Sequence, residues 1–285
     1  MIYLEFRKKF FDLLCRDSSP DFVGYLRAYE GLPLPPEESF EISCELVNGM
    51  RVDNMRLAIM CLHRRDVLRW LSAFRCKVPL SQDFLFENAA DNCFGIGLAD
   101  YPSGSEACRI KLYNTYGDLQ SQAGKVEHIQ RLFSSLNIPD AAFRRDWEQF
   151  RDVEFSGVDW GLEGRASIKV YFGPFSLDQF SGGLSGKLLK EDRLCYDVLR
   201  QEGLLPKAMI FCARYFLGGR SLRIDICCKT RKMSSYLRMF DPKGEALRFL
   251  VDFYRIFPGL SLQYISIQSV PVQKIKFYFL VGRDL

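Results

Sequence analysis

The sequence predicts an α+β fold: ten antiparallel strands in five hairpins, closed into a barrel with helices outside and a polar lumen. Three observations predict it. Hairpin turn signals fall near residues 49, 103, 163, 218 and 271, and the roughly 53- to 60-residue spacing is that of a structural repeat. Helical patterning fills the gaps between hairpins. Finally, the strands alternate apolar with charged or phenolic residues, most clearly in Lys111-Leu112-Tyr113, Lys169-Val170-Tyr171 and Lys276-Phe277-Tyr278. Successive strand side chains point to opposite faces, so each triplet puts a cation and a phenol on one face and an apolar residue on the other.

Helical pattern opens the chain through about residue 30, and the Pro-rich stretch Gly31 to Glu38 is a connector. The first hairpin, within residues 40–60, turns at Asn48-Gly49, a strong signal for a two-residue turn. Val67, Trp70, Leu71 and Phe74 then recur at helical spacing. The second hairpin, 93–115, carries Gly95 and Gly97 going out and Lys111 and Tyr113 returning. Helices follow from Leu119 to Phe150, broken near Asn137-Ile138-Pro139. The third hairpin, 153–172, turns at Glu163-Gly164 and ends at Gly173-Pro174. A Gly/Ser loop, Ser181 to Gly186, precedes a helix near Leu188 to Gln201. The fourth hairpin, 207–227, turns at Gly218-Gly219. A helix from Glu245 to Phe257 presents Leu247, Leu250, Val251 and Tyr254 on one face, and the fifth hairpin spans 261–281. Nothing divides the repeats, so residues 1–285 are expected to form one domain.

Composition excludes several classes of function. A net charge of +4 over 285 residues gives no global basic field for nucleic acid. Ten cysteines without any C-x-x-C, mostly in apolar stretches, suit buried thiols in a reducing cytoplasm. With only His63 and His128, a histidine-based metal site or triad is not expected. Charged residues between Glu5 and Asp12 make the N-terminus an amphipathic helix rather than a signal peptide. No apolar run is long enough to span a membrane.

Helices with apolar stripes can cover the outer faces Ile110/Leu112, Ile168/Val170, Leu222/Ile224/Ile226 and Ile275/Phe277/Phe279, leaving the polar faces to line the lumen. Arg56, Lys111, Lys169, Arg223 and Lys276 then form a ring of cations, with Lys274 near the rim. Unpaired buried cations are costly unless an anion answers them, and a diphosphate can take charge-assisted hydrogen bonds from several strands. Tyr113, Tyr171 and Tyr278, two residues further along, offer electron-rich faces to a carbocation. Cations for a leaving diphosphate plus rings for an allylic cation describe a prenyl-transfer site. Glu41 and Glu45 share a face, and one of them can simply pair with a lumen cation; Glu41 is favoured as proton acceptor because Glu45 lies nearer the turn. Asp225 either neutralises Arg223 or joins Glu41 in an anionic pocket for a guanidinium acceptor.

These features resemble the ABBA-type prenyltransferases, and among them the cyanobactin prenyltransferases, over roughly residues 35 to 285. The segments that carry the likeness are Glu41-Ile42-Ser43-Cys44, Gly95-Ile96-Gly97-Leu98 and Gly157-Val158-Asp159-Trp160 through Gly164 to Ile168-Lys169-Val170-Tyr171. The resemblance implies a barrel of five ααββ repeats that transfers a dimethylallyl group from its diphosphate to a side chain of a ribosomal cyclic peptide. It implies diphosphate binding by Arg56, Lys111, Lys169, Arg223 and Lys276, cation shielding by Tyr113, Tyr171 and Tyr278, and proton acceptance at Glu41. Arginine is the favoured acceptor, with tyrosine or tryptophan next. Where relatives often have Gly-Ile-Asp-Leu, this chain has Gly97 in place of Asp, which bears on acceptor handling or metal use. No DDxxD motif is present, so Mg²⁺ is expected at most to assist the diphosphate. Dimethylallyl diphosphate is the favoured donor and geranyl diphosphate the alternative; Phe211 and other rings of the fourth hairpin are candidates to cap the pocket at five carbons. A monomer is expected. The alternatives are a small-molecule aromatic acceptor on the same fold, or a non-catalytic barrel carrying an anionic lipid.

Overall fold

The computed structural model describes residues 8–9, 11–12, 15, 19–30, 39–51, 55–73, 93–100, 108–116, 121–161, 165–176, 179, 208–230, 241, 243–256, 260–268 and 274–281. The expected Gly31–Glu38 connector, the Gly/Ser loop, the helix near 188–201 and the turns at 101–107 and 269–273 lie outside these residues.

Helix α1 (Pro20–Glu30) buries Phe22, Tyr25 and Leu26 at the three- and four-residue spacing of one helical face. Strand β1 (Ser39–Val47) turns at Asn48 and Gly49, both in the left-handed region (φ 50° and 73°), as a tight hairpin turn requires. The return comes in two pieces, the short β2 (Met50–Arg51) and β3 (Met55–Leu62). Helix α2 (Arg64–Ala73) buries Val67 and Trp70, and the Trp70 Nε1 donates to the Tyr25 carbonyl at 3.3 Å. The second hairpin is β4 (Phe94–Asp100) and β5 (Cys108–Asn114). Two helices follow, α3 (Gln122–Ser135) and α4 (Ala141–Phe150), then β6 (Val153–Gly161) and β7 (Ala166–Phe175). The last pairs are β8 (Ala208–Phe216) with β9 (Gly219–Thr230), and β10 (Ser261–Gln268) with β11 (Lys274–Val281), separated by α5 (Glu245–Ile256).

All pairings are antiparallel in the order β11-β10-β9-β8-β7-β6-β5-β4-β3-β1, and β11 pairs back onto β1 from Phe40↔Val281 to Val47↔Lys274. The sheet is therefore a closed ten-stranded barrel without free edges, β2 being a short appendix at the first turn.

The main apolar core lies between barrel and helices. Ile110, Leu112, Ile168, Val170, Ile224, Ile226, Phe277 and Phe279 all point outward and are buried. Phe150 stacks on Phe211 at 4.9 Å between centroids, and Phe133 stacks on Phe143 at 5.3 Å. Each such side chain contributes about 1.5–3 kcal/mol by burial. Cys44, Cys93, Cys212 and Cys227 are buried. No helix among the described residues is long and apolar enough to cross a membrane.

Three expectations are corrected. The α5 face made by Leu247, Val251 and Tyr254 is exposed (53, 36 and 41%), and the buried stripe is Ala246, Phe249 and Leu250. Both stripes have helical spacing, so periodicity could not choose between them; the approach of α5 to β1 did. Strand β7 does not end at Gly173-Pro174 but runs on to Phe175, with the ladder to β8 shifting between Phe172 and Phe175. Phe211 faces outward into the stack with Phe150, so it does not cap the lumen; its neighbour Ile210 faces inward.

Candidate active site

Strand alternation and register place the site. Lys111 on β5 lies directly across from Gly97 on β4 and Asp159 on β6. Lys169 on β7 faces Gly157 on β6 and Arg214 on β8. Glu45 on β1 is opposite Lys276 on β11, and Asp225 on β9 is opposite Ser266 on β10. All these positions share the inward parity. The tyrosines follow two residues on, so Tyr113, Tyr171 and Tyr278 lie one layer nearer the barrel end from which the helices connect.

This inner face encloses a cavity of about 230 Å³. Its charged lining is Glu41, Lys111, Lys169, Arg223 and Asp225. Its aromatic lining is Tyr113, Phe155, Tyr171, Tyr264 and Tyr278, and Ala58, Met60 and Ile210 complete it. Phe155 stacks on Tyr171 at 3.8 Å and 18°, and meets Tyr113 edge-on at 6.4 Å. Burial raises the Tyr113, Tyr171 and Tyr278 hydroxyls, so these rings present neutral phenols.

The cations are not an unpaired ring, as the sequence alone suggested. Glu45 holds Arg56 at 2.8 Å and Lys276 at 2.7 Å. Asp159 is ion-paired with Lys169, both almost fully buried. Asp225 takes a hydrogen bond from Arg223 Nη2 at 3.1 Å and lies 3.1 Å from its Nε. The Arg223 guanidinium also sits 5.9 Å over the Tyr171 ring. Only Lys111 has no carboxylate partner among the described residues, and the residue across from it on β4 is Gly97, which has no side chain to offer. The Asp225–Arg223 pair, two residues apart on one strand, is the one the sequence offered; Asp159 was missed as a partner because it comes from a neighbouring strand, and only register brings it to Lys169.

Arg56 and Lys276 lie beside the cavity, tied to Glu45, rather than on its lining. The other eight predicted site residues line one space. Phe155 and Asp159 were not singled out, although the parity of Lys169, counted back through Ser167↔Asp159, assigns both to the lumen. Met60, Ile210 and Tyr264 follow from the same parity rule.

Burial sets the protonation pattern. Glu41 is pushed up to about 7 by burial, and then by the Asp225 charge, against Lys111 and Arg223. Burial also raises Glu45, but Lys276 and Arg56 outweigh it and hold the carboxyl well below the usual range. Likewise Lys169 and Lys111 overcome the burial of Asp159 and keep it ionised. Burial, and then the other cations, lower Lys111, and burial with Arg56 brings Lys276 down to about 7.

Two glycines shape the wall. A Cβ at residue 97 would meet Lys111 Cβ and Tyr113 Cε2 at 3.1 Å. One at residue 157 would meet Tyr113 Cδ1 at 2.9 Å and the Leu112 carbonyl oxygen at 2.7 Å. Glycine on both flanking strands therefore lets Tyr113 lie close against the barrel wall.

Structural comparison finds NotF, solved in complex with brevianamide F and DMSPP. It superposes with a TM-score of 0.61 at 10% identity, over 96% of this chain and 92% of NotF. The fold is the ABBA prenyltransferase barrel. No protein-family profile and no curated protein matches the chain by sequence. The expected ten-stranded ABBA barrel is thus borne out.

Proposed function

We propose that this protein is a prenyltransferase that uses dimethylallyl diphosphate and alkylates a nucleophile held in the barrel. The observation that carries this reading is one cavity lined by Lys111, Lys169 and Arg223, by the aromatic rings around Tyr171, and by Glu41 poised at about 7. DMSPP in the NotF structure supports such a co-substrate.

The chemistry follows from that lining. The allylic C–O bond breaks and its electron pair leaves with the diphosphate, whose developing charge Lys111, Lys169 and Arg223 stabilise. Arg56 and Lys276, one layer away, add to the field. The faces of Tyr113, Tyr171 and Tyr278 shield the allylic cation, and an apolar wall keeps water from it. The acceptor forms the new C–C, C–N or C–O bond to the cation, and its proton passes to Glu41. Among the described residues no cluster of three or more His, Cys, Asp or Glu could hold a metal ion. In this reading Mg²⁺ would be held chiefly by the diphosphate.

The first acceptor class to test is a cyclic ribosomal peptide, with arginine ahead of tyrosine and tryptophan. Glu41 and Asp225 both border the cavity and suit a guanidinium. A small aromatic acceptor is the second reading. It is supported by the compact cavity and by Arg223 already occupying the Asp225 fork, which leaves Glu41 as the free carboxylate.

Incubation with dimethylallyl diphosphate and a panel of cyclic peptides and aromatic small molecules, read by mass spectrometry, tests both. The expected product gains one dimethylallyl unit, and fragmentation assigns the residue alkylated. Donor binding without transfer to any acceptor points to a carrier rather than an enzyme.

A further inference from the structure

We propose that Asp159 is a resident counterion that the donor's diphosphate displaces from Lys169, so that this carboxylate sets how tightly the diphosphate is held. The inference rests on the donor assignment above and goes beyond it, because it gives a role to a residue outside the expected site.

The geometry is specific. Asp159 stands across the ladder from Lys111 on one side and is ion-paired with Lys169 on the other. Lys111 and Lys169 line the cavity, whereas Asp159 lies behind them at 3% side-chain exposure. Its Oδ1 is buried without a hydrogen-bond donor. Asp159 therefore offsets the cost of two buried lysines and holds them in place. Lys111 has no carboxylate of its own, so an arriving diphosphate meets it first. Lys169 then exchanges its partner, turning from a single carboxylate to an anion with several charges and oxygens.

Two consequences follow. A small singly charged anion gains little by displacing Asp159, so the site discriminates in favour of a diphosphate. After the allylic bond breaks, Asp159 competes for Lys169 again and helps to expel the product diphosphate. The ionised state of Asp159, held down by Lys169 and Lys111, is consistent with this exchange.

The test is calorimetric titration of the full chain with inorganic diphosphate, with and without Mg²⁺. Asp159→Asn is expected to bind diphosphate about tenfold more tightly or better, equivalent to about 1.4 kcal/mol, while turnover falls as product release slows. Because that variant strips Lys169 of its partner and could fail to fold, a second pair is compared. Lys169→Met should bind weakly, and Lys169→Met/Asp159→Asn more tightly than Lys169→Met alone, since the buried carboxylate repels the ligand. Unchanged or weaker binding in the folded Asp159→Asn variant, or in the double variant, overturns the exchange. Loss confined to the Mg²⁺ arm also overturns it, by making Asp159 a metal ligand. If the wild-type chain binds neither inorganic nor dimethylallyl diphosphate, the donor assignment itself fails.

Discussion

Outward, β7 presents Ile168, Val170 and Phe172, none with exposed surface; inward, the same strand presents Ser167, Lys169 and Tyr171. The outward residues meet apolar helices and contribute stability through burial. The inward ones carry charge and hydroxyls into the cavity, where a buried polar group must find a partner or cost stability. The same alternation holds on β5, with Ile110 and Leu112 outside and Lys111 and Tyr113 inside. The difference teaches that stability and chemistry can be altered separately, residue by residue, along one strand.

The largest effect is expected at Glu41. Glu41→Gln should lower transfer about 10²- to 10⁴-fold, the usual worth of a positioned base. It should also raise the melting temperature at pH 8 and leave it nearly unchanged at pH 4. The sign follows from its folded value of about 7, above the ordinary carboxylate value of 4.5. Ionising Glu41 inside the barrel is unfavourable, so the wild type loses stability as pH rises from about 4.5 to about 7, and the amide does not. A variant less stable than wild type at pH 8 breaks the assignment of Glu41 as a strained carboxyl.

Next comes the cation without a carboxylate. Lys111→Met is expected to reduce kcat/KM for the donor about 100-fold, by analogy with removal of one donor to a developing anion. Its melting temperature should hold or rise, because no ion pair is lost. On the outer face the opposite pattern is expected. Ile168→Ala should destabilise by about 2–5 kcal/mol with kcat/KM unchanged well below the melting transition. Urea melts together with initial rates measure both, and a loss of activity in folded Ile168→Ala would falsify the separation of faces.

The pH profile sharpens the comparison further. Donor kcat/KM should climb as Glu41 ionises near 7 and decline as Lys276 loses its charge, also near 7. The expected profile is a narrow bell, and Glu41→Gln should abolish its acidic limb. The smallest effect is expected at Tyr171. Tyr171→Phe keeps the ring and loses a 3.5 Å hydrogen bond from Arg223 and one with the Cys212 thiol, so rates should change little. Tyr171→Leu removes the ring face and should cost about 0.5–2 kcal/mol of transition-state stabilisation, read as slower transfer and more hydrolysis of the donor.

Much of this architecture was legible because local rules repeat. Asn48-Gly49 and Gly218-Gly219 mark turns, and the alternation around Lys111, Lys169 and Lys276 fixes which side chains share a face. Where two local solutions were equally good, the sequence was silent. Helix α5 carries two apolar stripes, and spacing did not say that Ala246, Phe249 and Leu250 are buried while Leu247, Val251 and Tyr254 are exposed. Phe211 and Ile210 are both apolar, and only the ladder to Phe172 and Ile224 turns Phe211 outward.

By itself, then, the sequence determined the hairpins, their period and the inward parity of the cations and tyrosines, because turn chemistry and strand alternation are set by near neighbours. Only the tertiary structure decided which charges meet across strands. Glu45 between Arg56 and Lys276, Asp159 on Lys169, and Gly97 across from Lys111 all arise from register between strands, whereas Asp225 and Arg223 are neighbours two residues apart on one strand. The cross-strand pairings depend on distances across the barrel, which no spacing along the chain records.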